Sequence, residues 1–301
     1  MRLYNGCAGF GAGRWCVLAP SSTLLGAMLA SLLSAQTPSQ PLYPLAIAAP
    51  PDGRLFVGDR NLPGVWLLDQ GKLSLFFEGS KRFRTPLNAL RCLAIDQQGR
   101  LLAGDSSTRQ IYRFDDQHQP RPLAQPWDAE HNLGPLGIPM GIVHTRAGQL
   151  VVSDLEFHCL WKIPPEGGEP TKWVEMQAPT GLAVDDQDRV WVVSRVENPL
   201  RRVLPDGTVE VVVQGRPFEF PHSVALDDQG TALVVDGYAK TIWKVEPGKA
   251  PEAWIKHPRF VNPVDIKRAA DGWVVVDPRA NAIFRIDATG NVSVIELAAK
   301  P

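Results

Sequence analysis

Arg91, His222 and Asp265 carry between them the groups that small-molecule chemistry needs. A histidine near a carboxylate can pass a proton to or from a bound molecule, and an arginine can clamp a carboxylate or phosphate. Asn88 and Asn262 add neutral polar groups, and Arg195 adds a second guanidinium. A separate row of aspartates, Asp59, Asp105, Asp154, Asp236 and Asp277, has the look of an acid or metal array. Choosing between the two groups requires the frame in which both sit.

That frame is an internal repeat. PHSVALDDQGTALVVDGYAKTIWKV from Pro221 aligns with stretches opening at Pro44, Leu90, Pro139, Pro179 and Pro263. The copies recur every 40 to 49 residues, the period of a four-stranded propeller blade. Nine residues after each opening lies a turn, marked by Gly53, Gly99, Gly148, Gly230 and Gly272, with Asp188 in the fourth copy. The row aspartate follows, one residue early in the sixth copy and replaced by Ser194 in the fourth. In the fifth copy the strands are expected over 223–226, 232–235, 241–245 and 252–255. Blades that bury both faces explain strands that are nearly all apolar. The whole is an all-β, six-bladed β-propeller of four-stranded antiparallel blades, each contiguous in sequence, so the ring closes by packing of the first blade on the last.

The register sorts the conspicuous residues. An aspartate in nearly every blade serves the blade, by accepting backbone N–H bonds in the loop that follows it. The residue after each opening position forms an innermost ring: Leu45, Arg91, Met140, Thr180, His222 and Val264. The next position is small in five copies, and Asp265 breaks that rule. Departures from the repeat mark the candidate ligand site: Arg91, His222 and Asp265, with Asn88, Asn262 and Arg195. The plain alternative is an Arg91–Asp265 ion pair across the channel, with His222 lining water. Ser194 is expected to open space on its side. The longer connections 78–88, with its basic run Lys81–Arg84, and 127–138 are expected to overhang the same face.

The pattern Pro-x-Gly-hydrophobic-Ala-hydrophobic-Asp, then Gly-x-hydrophobic-x-Val-x-Asp, resembles the NHL repeat over residues 41–298. It is similar also to the SMP-30/gluconolactonase-like and streptogramin-lyase-like propellers. The lactonase resemblance implies a divalent metal, calcium or magnesium, held by an early Glu with Asn and Asp. Here Tyr43-Pro44-Leu45-Ala46 supplies no Glu. The related amidating lyases bring several channel histidines to zinc, whereas His222 stands alone in the ring. The streptogramin lyases pair a His with a Glu, and the sixth copy has no His.

Bulk composition excludes other classes. With 31 basic and 32 acidic residues and a net charge of −1, nothing marks a nucleic-acid partner. Residues 1–35 differ from the rest: Arg2 and Arg14, no acid, an apolar stretch over 17–33, then Ala35. This reads as a signal peptide, or alternatively an uncleaved anchor, followed by a linker over 36–42 and the propeller over 43–301. The protein is therefore expected outside the cytoplasm, periplasmic or extracellular, and membrane-anchored if the leader is retained. Cys92 and Cys159 are expected as buried thiols, a disulfide between them being the lesser alternative. The functional expectation is a non-catalytic binder of a small ligand or protein partner at the channel face, with no resident cofactor. The alternative is a metal-dependent hydrolase or lyase.

Overall fold

The computed structural model describes residues 40–295 apart from 42 and 127, so the leader lies outside the described residues. Twenty-four strands form six four-stranded antiparallel sheets, each in simple sequence order. In the fifth blade the strands are Pro221–Leu226, Ala232–Asp236, Thr241–Val245 and Glu252–Lys256, within two residues of the sequence expectation. The last described strand of the sixth blade is Val292–Ile295. No helix among the described residues is long and apolar enough to cross a membrane.

The turns explain the repeat's punctuation. Gly53, Gly99, Gly148 and Gly230 all have φ between 77° and 87°, where a side chain is strained and glycine is not. Asp188 holds the same place at φ 58°, a conformation Asp tolerates better than most residues. In the sixth blade Ala269 pairs directly with Gly272, so only two residues make the turn. That shorter hairpin accounts for Asp277 arriving one residue early.

The core lies between blades. The second strand of each blade is buried along its whole length. Ile47, Leu55 and Val57 of the first blade pack against Val264, Val274, Val276 and Ile283 of the sixth. The ring therefore closes by apolar contact between two intact sheets, with no strand exchanged. Cys92 and Cys159 are both free and buried.

Candidate functional site

In four of the six blades the innermost strand carries an irregularity that aims one side chain into the channel. Pro44 pairs with Asp59 and Ala46 with Gly58, leaving Leu45 without a ladder partner. The same skip leaves out Arg91, Met140 and His222 in their blades. Such bulges re-aim side chains out of the ladder. Leu45, Arg91, Met140 and His222, with Val264, line a cup of about 280 Å³ at one channel mouth. Thr180 does not join them. In its blade the skip widens to run from Pro179 to Leu182. Its hydroxyl turns back to the Val193 carbonyl at 3.2 Å, and its own carbonyl accepts from the Ser153 hydroxyl.

Two further tiers complete the cup. Arg60, Leu155, Arg195 and Pro278 each directly follow the row position, and Tyr43, Ile138, Phe220 and Asn262 each directly precede the opening position. Tyr43 and Phe220 do not stand out in the sequence, and Arg60 stands out only as one of the varied residues of the loops that follow the second strands. Extending the ring alignment one residue before the opening and one after the aspartate finds them. Asn88 stays outside the cup: its Nδ2 donates to the Ser80 carbonyl at 3.1 Å within its own loop. The two long connections touch each other, Asn132 Nδ2 donating to the Arg84 carbonyl at 3.1 Å. They supply only Ile138 to the cup.

Asp265 stands in the crowded small-residue ring, where a Cβ added to Gly181 would come within 2.4 Å of the Ser223 backbone. Its carboxylate fits because it is fully used. Oδ1 accepts from Ser223 Oγ at 2.7 Å, from Lys267 Nζ at 2.8 Å and from its neighbour Ile266 N at 3.0 Å. Oδ2 accepts from Ile47 N at 3.0 Å, across the seam between the last blade and the first. One side chain thus ties together blades five, six and one. The ion pair considered from sequence, Arg91 with Asp265, does not form. Asp265 pairs with Lys267, and Arg91 Nε donates to Ser106 Oγ at 2.9 Å.

Arg195 and His222 form the other connected unit. Tyr238 stacks on Phe220 at 4.5 Å, and the Arg195 guanidinium lies over the same Phe220 ring at 4.5 Å. Thus held, Arg195 Nη2 meets His222 Nδ1 at 3.1 Å. A guanidinium can only donate, so Nδ1 is the acceptor and the ring proton resides on Nε2. Burial, and then the Arg195 charge, push the imidazole pKa down to about 3. His222 is neutral at physiological pH. Its Nε2 is buried without a partner, as is Oδ1 of Asn262, a residue only 7% exposed. A Cβ on Gly237 would lie 2.6 Å from that Oδ1 and 2.9 Å from Nε2, so the glycine leaves room for both groups.

The aspartate row lies beneath the cup. All five are fully buried. Asp154 accepts from the N–H groups of Gly137, Ile138, Glu156 and Phe157 and from Trp161 Nε1. Asp277 does the same for Val261, Asn262, Arg279 and Ala280. Each aspartate fastens the entry to its blade onto the loop leaving the second strand. In the fourth blade Ser194 accepts from Arg201 Nη1 at 2.7 Å, and His158 of the third blade accepts from Ala178 N at 3.2 Å. A second cavity, about 200 Å³, lies beside Ser194 and Arg195.

No protein-family model and no curated protein matches the sequence. Solved structures match the fold. A gluconolactonase from Xanthomonas campestris aligns with a TM-score of 0.66 at 17% identity, over 80% of this chain and 84% of its own. Virginiamycin B lyase from Staphylococcus aureus aligns with a TM-score of 0.63 at 15% identity, over 84% of each chain. A chain of a nidogen/laminin complex gives 0.63 at 15%, over 78% of this chain and 88% of that one. The likeness is one of fold. A fold shared among two enzymes and a member of a protein complex leaves function to the site.

The divalent metal implied by the lactonase resemblance does not fit the cup. Among the described residues no three of His, Cys, Asp and Glu come together as ligands. Both Asp265 oxygens are already occupied, and Arg60, Arg91, Arg195 and Lys267 share the cup's lining with that single carboxylate. A dication placed there meets net repulsion.

Proposed function

We propose that the protein is an exported, NHL-type propeller that holds a small ligand in the cup at this channel mouth without transforming it. The observation that carries the reading is the cup's composition. Arg91, His222, Asp265, Arg195 and Asn262, picked out as candidates from sequence, all line one cavity of about 280 Å³. The non-catalytic half rests on proton bookkeeping. His222 offers no basic lone pair to a ligand, since Nδ1 is engaged by Arg195 and Nε2 carries the proton. Asp265 has given both oxygens to the scaffold. A metal-dependent hydrolase or lyase needs three or four ligands within about 2.0–2.6 Å of one point, and the donor set here does not supply them.

The test has two arms. A small-molecule screen by thermal shift on the mature domain should yield ligands that raise the melting temperature, with the gain lost in Arg195→Ala. Turnover of lactones by the purified protein, abolished by Asp265→Asn, would overturn the non-catalytic reading. Mass analysis of the protein recovered outside the cytoplasm tests the leader: loss of residues 1–35 is the expected result.

A further inference from the structure

Charge in the cup is unbalanced in a way the fold does not require. Lys267 is neutralised by Asp265 at 2.8 Å. Arg60, Arg91 and Arg195 have no carboxylate within 4 Å among the described residues. Burial pulls the Arg91 pKa down, and the Arg60 charge pulls it further. Arg195 is depressed likewise, by burial first and then by Arg91. Three guanidinium groups therefore crowd one mouth, each disfavouring the next. Arg195 keeps a buried Nε with no acceptor.

Beside this cluster lies an uncharged pair with opposite needs. His222 Nε2–H is a donor without an acceptor, and Asn262 Oδ1 is an acceptor without a donor. Both lie within 3 Å of the place a Gly237 side chain would fill, so they are close neighbours, and both residues line the cup. Buried polar groups left unpaired are costly, and the large majority in folded proteins have a partner. A hydroxyl group supplies what both lack, because its oxygen accepts from Nε2–H and its proton is donated to Oδ1.

We infer that the cup takes a small oxyanion bearing a hydroxyl group, the anion held by Arg60, Arg91 and Arg195 and the hydroxyl by His222 and Asn262. The inference rests on the reading of the cup as a ligand site and names the chemistry it selects. A carboxylate and a phosphate ester offer the arginines the same bidentate oxygens, so the experiment separates them.

Titration calorimetry and backbone NMR on the mature domain test it with matched probes. Tartronate and malonate differ by one hydroxyl, and glycerol 3-phosphate and propyl phosphate by two. Uncharged glycerol and cationic choline serve as controls. The hydroxylated anion of one pair should bind at least about tenfold more tightly than its partner, with shifts at Met140 and His222. Asn262→Ala should erase that preference while retaining anion binding. Arg60→Ala, at an exposed position, and Arg91→Lys, which keeps the charge but loses the fork, should each weaken both anions several-fold. Raised salt should weaken them too. If glycerol or choline shifts the cup residues and no anion does, the anion inference fails while the ligand site stands. If malonate equals tartronate and propyl phosphate equals glycerol 3-phosphate, the hydroxyl assignment fails. If no probe shifts these residues, the ligand site itself is lost.

Discussion

The fourth blade and its five siblings solve one problem in two ways. In five blades a fully buried aspartate fastens the entering chain to the loop that leaves the second strand. The fourth has Ser194 there, and the fastening is divided among Arg201, His158 and Asn198, whose Oδ1 accepts from Gly215 N at 2.9 Å. The next residue is Arg195, which the Phe220–Tyr238 stack turns into the cup. The difference separates scaffold from site. Where the row aspartate is kept, its carboxylate serves its own blade; where it is given up, the fastening is shared among several other side chains.

Removing one anchor from each kind of blade tests this contrast most severely. Asp154→Ala takes the acceptor from four backbone N–H groups and an indole donor, and should cost about 4 kcal/mol in denaturant unfolding. Ser194→Ala, at the matching position, should cost about 1 kcal/mol, because its partner is one guanidinium N–H. Equal losses would erase the distinction.

Asp265 sharpens it from another side. Asp265→Ala should destabilise by about 3 kcal/mol, since it strands the Lys267 ammonium and the Ile47 N–H together. Adding Lys267→Met should recover part of that loss. A single variant within 0.5 kcal/mol of the parent, roughly the scatter of surface substitutions, would mean the carboxylate is not holding the seam.

A pH dependence should follow from the burial of His222 and, after it, from the charge of the fourth blade's arginine. His222 has a folded pKa of about 3 against 6.5 when free. The unfolded chain therefore binds a proton that the folded chain refuses as pH falls below 6.5, and stability drops through that window. The loss at pH 4.5 should be about 2.5 kcal/mol relative to neutral pH from this group alone. His222→Gln should flatten that part of the profile. An unchanged profile would show that the imidazole is not held neutral in this way.

How far the residues themselves announced this arrangement can be stated by position. Blade openings, turns and strand spans were readable because the register repeats in every copy, and the position of Arg91, His222 and Asp265 in adjacent rings follows from it. Partner choice was not readable. Arg91 takes Ser106 of its own blade, and Asp265 takes Lys267 two residues on. Nothing in an alignment of copies measures distance across a channel. Thr180 was misplaced in the ring because its bulge is wider than the others, a backbone detail that leaves no trace in residue type. Asn88 was misplaced because its loop closes on itself, its N–H donating to the Thr85 carbonyl at 3.1 Å. Tyr43 and Phe220 lie one residue before the opening position, where the same alignment reaches them.

The seam has a bearing on ancestry and engineering. Because every sheet is one uninterrupted stretch, a duplicated or deleted blade arrives or leaves whole, and no neighbour loses a strand. The junction that must then be renegotiated is the one bridged by Asp265 and Ile47. A ring of this design can change its number of blades by copying DNA in blade-length units, its clasp an apolar seam with one carboxylate set across it.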